Sequence, residues 1–130
     1  FGHDLLVTAQ MTQGTNRPEY LVARERSKHA AGHGGIDAAM AAHGLDVIVA
    51  PTTSPAWLID HVDGDNRKGG CSGPAAIAGY PHITVPMGAV AGLPVGLSIF
   101  ASAWEDQKVL DIGFAFEQCT HALLTPQLGS

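Results

Sequence analysis

The sequence predicts an α/β domain: a mixed sheet with a β-hairpin, flanked by helices. Three observations predict it. Residues 4–44 repeat apolar side chains at helical spacing, residues 45–50 and 82–100 hold short β-branched runs between Pro and Gly, and residues 105–121 return to a helical period. The chain therefore divides into a helical part over 1–44, strands with a long loop over 45–104, and a closing helix over 105–121. Its 130 residues suit a single domain.

The first helix is expected over Asp4 to Gln13, with Leu5, Leu6, Ala9 and Met11 on roughly one face and Gly14 beyond its end. A second start follows at Asn16-Arg17-Pro18-Glu19. Here Asn16 can cap, Pro18 sits in the first turn, and Glu19 complements the helix dipole. Apolar positions continue to Met40, but Gly32, Gly34 and Gly35 each cost about 1 kcal/mol inside a helix. A break or thinning is expected there, and Gly44 ends the run.

Leu45 to Ala50, closed by Pro51, reads as a buried strand. Residues 51–71 are irregular, and a loop of that length is commonly functional, disordered, or laid over a neighbouring surface. Ser72-Gly73-Pro74 opens a short helix of small residues that Gly79 closes, with Ser72 as the expected cap. His82–Pro86 and Val95–Phe100 flank the turn-forming Ala91-Gly92-Leu93-Pro94 and read as a hairpin. The second of these runs is apolar on both faces and so should be covered on both. From Glu105 to His121 the apolar spacing is helical again, with Glu105 and Asp106 at the favourable end.

Composition excludes several classes. Apolar residues make up 45% and charged ones 15%, at a mean hydropathy of +0.11, too apolar for a disordered chain. No apolar run nears the roughly 18 residues of a membrane span. Seven basic against twelve acidic residues leave no basic footprint for nucleic acid. The expected protein is soluble, with the cytoplasm favoured and export of a longer parent left open. The start at Phe1, without Met, suggests a processed or excised piece, and the terminal Gly129-Ser130 is given no structure. Cys71 and Cys119 lie 48 positions apart without a metal or disulfide framework and are expected as free thiols.

Few residues carry a chemical signature. His29 and His33 share a helix face, but Ala30 and Ala31 occupy the places between, where a metalloprotease helix carries Glu, and no third ligand is evident. Metal binding is therefore not expected. The segment from Gly64 to Gly69 is no phosphate loop, because Lys68 precedes Gly69 and Asp63 and Asp65 would repel an anion. Gly69-Gly70-Cys71-Ser72-Gly73 could bare a thiol or hydroxyl, with His61 or His82 as the base; the plainer reading is a tight turn capping the next helix. Trp57 follows a strand end, where ligands bind in α/β sheets, and Asp60, Asp63 and Asp65 lie close behind. It lines a substrate wall or pins the loop to the core.

Four stretches together resemble the C-terminal part of amidase signature enzymes: Leu45 to Thr53, Gly73 to Gly88, Gly92 to Phe100, and Leu110 to Thr120. The Pro55-Ala56-Trp57, Asp60 and Gly64-Asp65 positions look most like members that deamidate peptide C-termini or similar amides. The resemblance implies carboxamide hydrolysis by a serine nucleophile, a second serine in a cis peptide, and a lysine base, with no cofactor. It places those residues ahead of this segment, and no position here matches them, so neither Ser72 nor Cys71 is assigned the nucleophile.

The chain thus reads as a C-terminal fragment, inactive alone, that supplies scaffold and part of a substrate funnel lined by Trp57, Asp60 and Asp65. Its acids favour a cationic group on the substrate or merely solvate the loop. The expected partners are a peptide or small-molecule amide and the N-terminal catalytic portion of the same protein. Without that portion, self-association, as a two-fold homodimer, or repacking of the sheet is expected. The rivals are a binding or assembly module on the same scaffold and a small thiol hydrolase built on Cys71.

Overall fold

The computed structural model describes residues 2–12 and 14–125. The expected end of the first helix at Gln13, the start at Phe1 and the terminal Gly129-Ser130 lie outside them. In chain order the elements are α1 (Asp4–Gln10), α2 (Pro18–Ala31), a π-helical segment (Gly32–Asp37), α3 (Ala38–His43), β1 (Ile48–Pro51), α4 (Ser72–Ala78), β2 (His82–Val90), β3 (Leu93–Phe100) and α5 (Asp106–Thr120). The class is α/β, as the sequence predicts.

The sheet has the order β1-β3-β2, and both of its ladders are antiparallel. A mixed sheet was the expectation. β1 and β2 do run the same way, but β3 lies between them, so among the described residues no parallel ladder forms. The hairpin turn is the two-residue Ala91-Gly92, with φ of 52° and 80°. Such left-handed pairs match the twist of the flanking strands, so the strands run further toward the turn than their apolar content suggests. Between Pro86 and Gly88 the register shifts, leaving Met87 as the extra residue of a bulge.

Alternation along β3 splits the core into two layers. Ile83 pairs with Ile99 and Val85 with Leu97, and Gly113 brings α5 down onto Ile83 and Val85. On the opposite face Ile48 and Phe100 look into a groove shared with Ile36, Pro74 and Ile77. Ser98, Ile99 and Phe100 are all buried, so the expected two-sided cover is present at this end of the strand.

The glycine cluster thins the long helix without breaking it. A side chain at Gly32 would sit 2.9 Å from the Tyr80 hydroxyl, so the bare backbone lets the aromatic ring dock against the widened turn. Two cap expectations are corrected. Arg17, in extended backbone, precedes α2 in place of Asn16, and Cys71 precedes α4 in place of Ser72; neither makes a side-chain cap bond. Ser72 is already helical, and a residue inside the first turn cannot cap it. Gly44 and Gly79 end their helices in left-handed conformation, as expected.

Ile99 is 1% exposed at the junction of the two layers. Ile99→Ala is expected to cost about 2–5 kcal/mol in urea unfolding, whereas Leu110→Ala, at an exposed position of α5, should stay within about 0.5 kcal/mol.

Candidate functional site

The loop from Thr52 to Cys71 leaves the end of β1 and returns to the start of α4. Its entrance is fixed to the sheet by Thr52 N donating to the Gly96 carbonyl at 2.8 Å. Its exit is fixed by Cys71 N donating to the Thr52 carbonyl at 3.2 Å. Residues 58–70 are exposed throughout, so no buried side chain anchors the middle.

Trp57, Asp60 and Asp65 come together around one concavity of this loop, with Leu58, Ile59, Asp63 and Asn66 completing the wall. The half-buried Trp57 points its Nε1 at Asp65 Oδ1 across the loop, a long donor contact of 3.5 Å. Asp60 Oδ1 accepts from the backbone of Val62 at 2.8 Å and of Asp63 at 2.9 Å. The Asp63 and then the Val62 N–H hold the Asp60 carboxyl below the usual carboxylate range. Asp60 therefore shapes the turn, while Trp57 and Asp65, joined through the indole N–H, line the same concavity. An aromatic plane beside an acid can bind and orient a ligand, but it holds no nucleophile paired with a base.

The other sequence candidates are placed differently. Cys71 is half-buried, and its Sγ lies 3.8 Å from the Thr52 carbonyl, engaged by backbone. His82 stands edge-on to Phe100, ring centroids 5.7 Å apart, with Nε2 buried and without a hydrogen bond among the described residues. His29 and His33 lie with ring centroids 5.4 Å apart, and no cluster of three metal-ligating residues exists among the described residues. Among those residues no helix is long and apolar enough to cross a membrane.

A polar network that single residues do not reveal holds the π segment. Tyr80 Oη donates to Asp37 Oδ2 at 2.7 Å. The Ser102 hydroxyl lies 3.5 Å from the Met40 thioether, a weak acceptor, and the Asp37 carboxylate is the stronger alternative. Asp37 Oδ1 is buried without a hydrogen bond among the described residues. The nearby Ser102 hydroxyl and then the Tyr80 hydroxyl hold the Asp37 carboxyl below its usual range, and the same Asp37 contact pushes the Tyr80 hydroxyl up. Also missed by the sequence reading are the hydroxyls of Thr52, Thr53, Ser54, Thr84 and Ser98, which gather at the loop entrance. The run of three hydroxyl residues directly after a strand was their only signal.

The family model described as Amidase matches residues 5–110. Among solved structures, a peptide amidase crystallised with the competitive inhibitor chymostatin is 48% identical, with a TM-score of 0.93 over 98% of this chain and 26% of its own. The native peptide amidase of Stenotrophomonas maltophilia is 45% identical, with a TM-score of 0.89 over 100% of this chain and 26% of its own. A glutamyl-tRNA(Gln) amidotransferase subunit of Tropheryma whipplei (strain Twist) is 39% identical over 79 residues, 57% of this chain and 15% of that protein. The chain thus spans about a quarter, or less, of the length of these relatives.

Two outcomes follow from the geometry. Cys119 is exposed and Cys71 half-buried, so a maleimide probe followed by peptide mapping should modify Cys119 first; a faster Cys71 would mark an activated thiol. The Asp37 carboxyl is lower in the folded state, so its stabilisation is complete above about pH 4, the unfolded value, and is lost as pH falls through the folded one. Urea unfolding across that acid range should therefore show a shallower loss of stability for Asp37→Asn than for the unaltered chain.

Proposed function

The chain belongs to the amidase family, and on that premise we propose that it is part of an amide hydrolase acting on peptide C-terminal amides or similar carboxamides. Water cleaves the C–N bond to give the acid and ammonia or an amine. The serine, cis-serine and lysine that carry the reaction lie outside this chain, which supplies scaffold and the Trp57–Asp60–Asp65 wall of the substrate entrance. The observation that carries the reading is the match to solved peptide amidases across nearly the whole chain, loop included.

The local chemistry agrees with a supporting role. A hydroxyl or thiol nucleophile gains its rate from an adjacent base and from donors aimed at the developing oxyanion. The Cys71 thiol contacts a backbone carbonyl, which offers neither. The wall, by contrast, suits recognition: the indole provides a flat apolar surface, and Asp65 sets a carboxylate at its edge. A carboxamide carries no charge, so the acids act on the remainder of the substrate and favour an amine-bearing one.

The remainder of the same protein is the partner. Leu5 and Leu6 of α1 are 86% and 71% exposed, and Leu110 and Phe114 lie four apart on the outer side of α5, 54% and 65% exposed. Neighbouring pairs of exposed large apolar side chains fit surfaces that another part of the protein covers.

Ammonia release from a panel of C-terminally amidated peptides and aryl amides tests the division of labour. The chain by itself is expected to release none above buffer. Release that survives repurification and disappears in Cys71→Ala or Ser72→Ala would place a nucleophile here and overturn the reading.

A further inference from the structure

Three consecutive hydroxyl residues leave β1, and each makes a different tie. Thr52 Oγ1 donates to Thr84 Oγ1 at 3.3 Å and lies 2.9 Å from the Oγ of Ser98, which is fully buried. With one proton per hydroxyl, Ser98 then donates to Thr52 and Thr52 to Thr84. Thr53 Oγ1 donates to the Gly69 carbonyl at 3.2 Å, and Ser54 Oγ accepts from Lys68 N at 3.4 Å. The first tie joins the loop entrance to the sheet; the other two join entrance to exit. Gly96 keeps the first one open, since a side chain there would come within 2.6 Å of the Thr84 methyl and 3.0 Å of Thr52 Oγ1.

Between these ties the chain runs through residues 55–67 with Pro55 and Trp57 the only partly buried side chains. A segment with so little buried apolar surface opens at low cost, and its average position is set by what holds its ends. The long Trp57–Asp65 contact is a weak brace by itself.

We infer that Thr52, Thr53 and Ser54 are positioning residues, a hydroxyl clasp that fixes the Trp57–Asp65 wall relative to the sheet and so sets how tightly an amide substrate is held. The inference rests on reading that wall as part of the amide-binding entrance. Thr52 forms the sheet side of the clasp and Thr53 with Ser54 the loop side. The loop side can be removed without disturbing the buried Ser98.

The test compares the unaltered chain with Thr53→Val plus Ser54→Ala, with Ser54→Ala alone, and with Thr53→Ser, all in a Trp104→Phe background that leaves Trp57 as the emitting indole. Amide hydrogen exchange reports the loop, and Trp57 emission reports binding of Phe-Leu amide, whose free amino group suits the acids of the wall. The double variant should exchange residues 55–67 about fivefold faster and bind about threefold more weakly, while amides of β3 are unchanged; Ser54→Ala should be intermediate. Thr53→Ser, which keeps the hydroxyl, should match the unaltered chain. Unchanged loop exchange would overturn the clasp, and faster exchange with unchanged binding would overturn its positioning role. Should β3 amides also accelerate in the double variant, Ser54→Ala alone decides. If the unaltered chain binds no dipeptide amide, the entrance reading falls, while the exchange comparison still decides the clasp.

Discussion

Burial of the C-terminal end of β3 on both faces is the constraint from which the rest of the structure follows. Ser98, Ile99 and Phe100 are all buried, although successive strand residues point to opposite sides. Two separate layers must therefore close over one short strand. α5 closes one of them through Val109 and Gly113, and the α2–π–α3 arm with α4 closes the other through Ile36, Met40 and Ala75. β1 and β2 satisfy the edges of β3, and the hairpin turn fixes which residues meet. Ser98 is the polar exception in this set, and it is tolerated because its hydroxyl is hydrogen-bonded.

That exception ties the core to the loop. The hydroxyl that satisfies Ser98 belongs to Thr52, the first residue beyond β1, so the same bond that removes a buried polar penalty also starts the loop in a fixed direction. Core packing and the placement of Trp57 are in this way parts of one arrangement. The division of labour in the proposed hydrolase has the same logic. Chemistry needs a nucleophile, base and oxyanion donors held within a fraction of an ångström, while recognition by an exposed loop needs only that its ends be held.

Much of the fold was legible because it rests on local signals. The β-branched runs, the turn at Ala91-Gly92, the glycines after α3 and α4, and the apolar period of α5 all act within a few residues of themselves. What escaped depends on residues far apart in sequence. The antiparallel order follows from β3 slotting between β1 and β2, which no single strand announces. The π segment depends on Tyr80 docking against Gly32, 48 positions earlier. At the candidate site, closeness in sequence is enough to bring Trp57, Asp60 and Asp65 to one concavity, yet Asp60 braces its own turn. The hydroxyl group at positions 52, 84 and 98 was invisible because threonine and serine in strands are common, and only their register brings these three together.

The most direct measurement is a two-dimensional nitrogen–proton spectrum of the chain, titrated with a C-terminally amidated peptide bearing a free amino group. Shifts are expected at the Trp57 indole N–H and at the backbone of residues 52–65, with Cys71 to Gly73 and the groove formed by Ile36, Ile77 and Phe100 left in place. Shifts centred on Cys71 to Gly73 or on that groove, with the Trp57 indole unmoved, would overturn the placement of the entrance at Trp57.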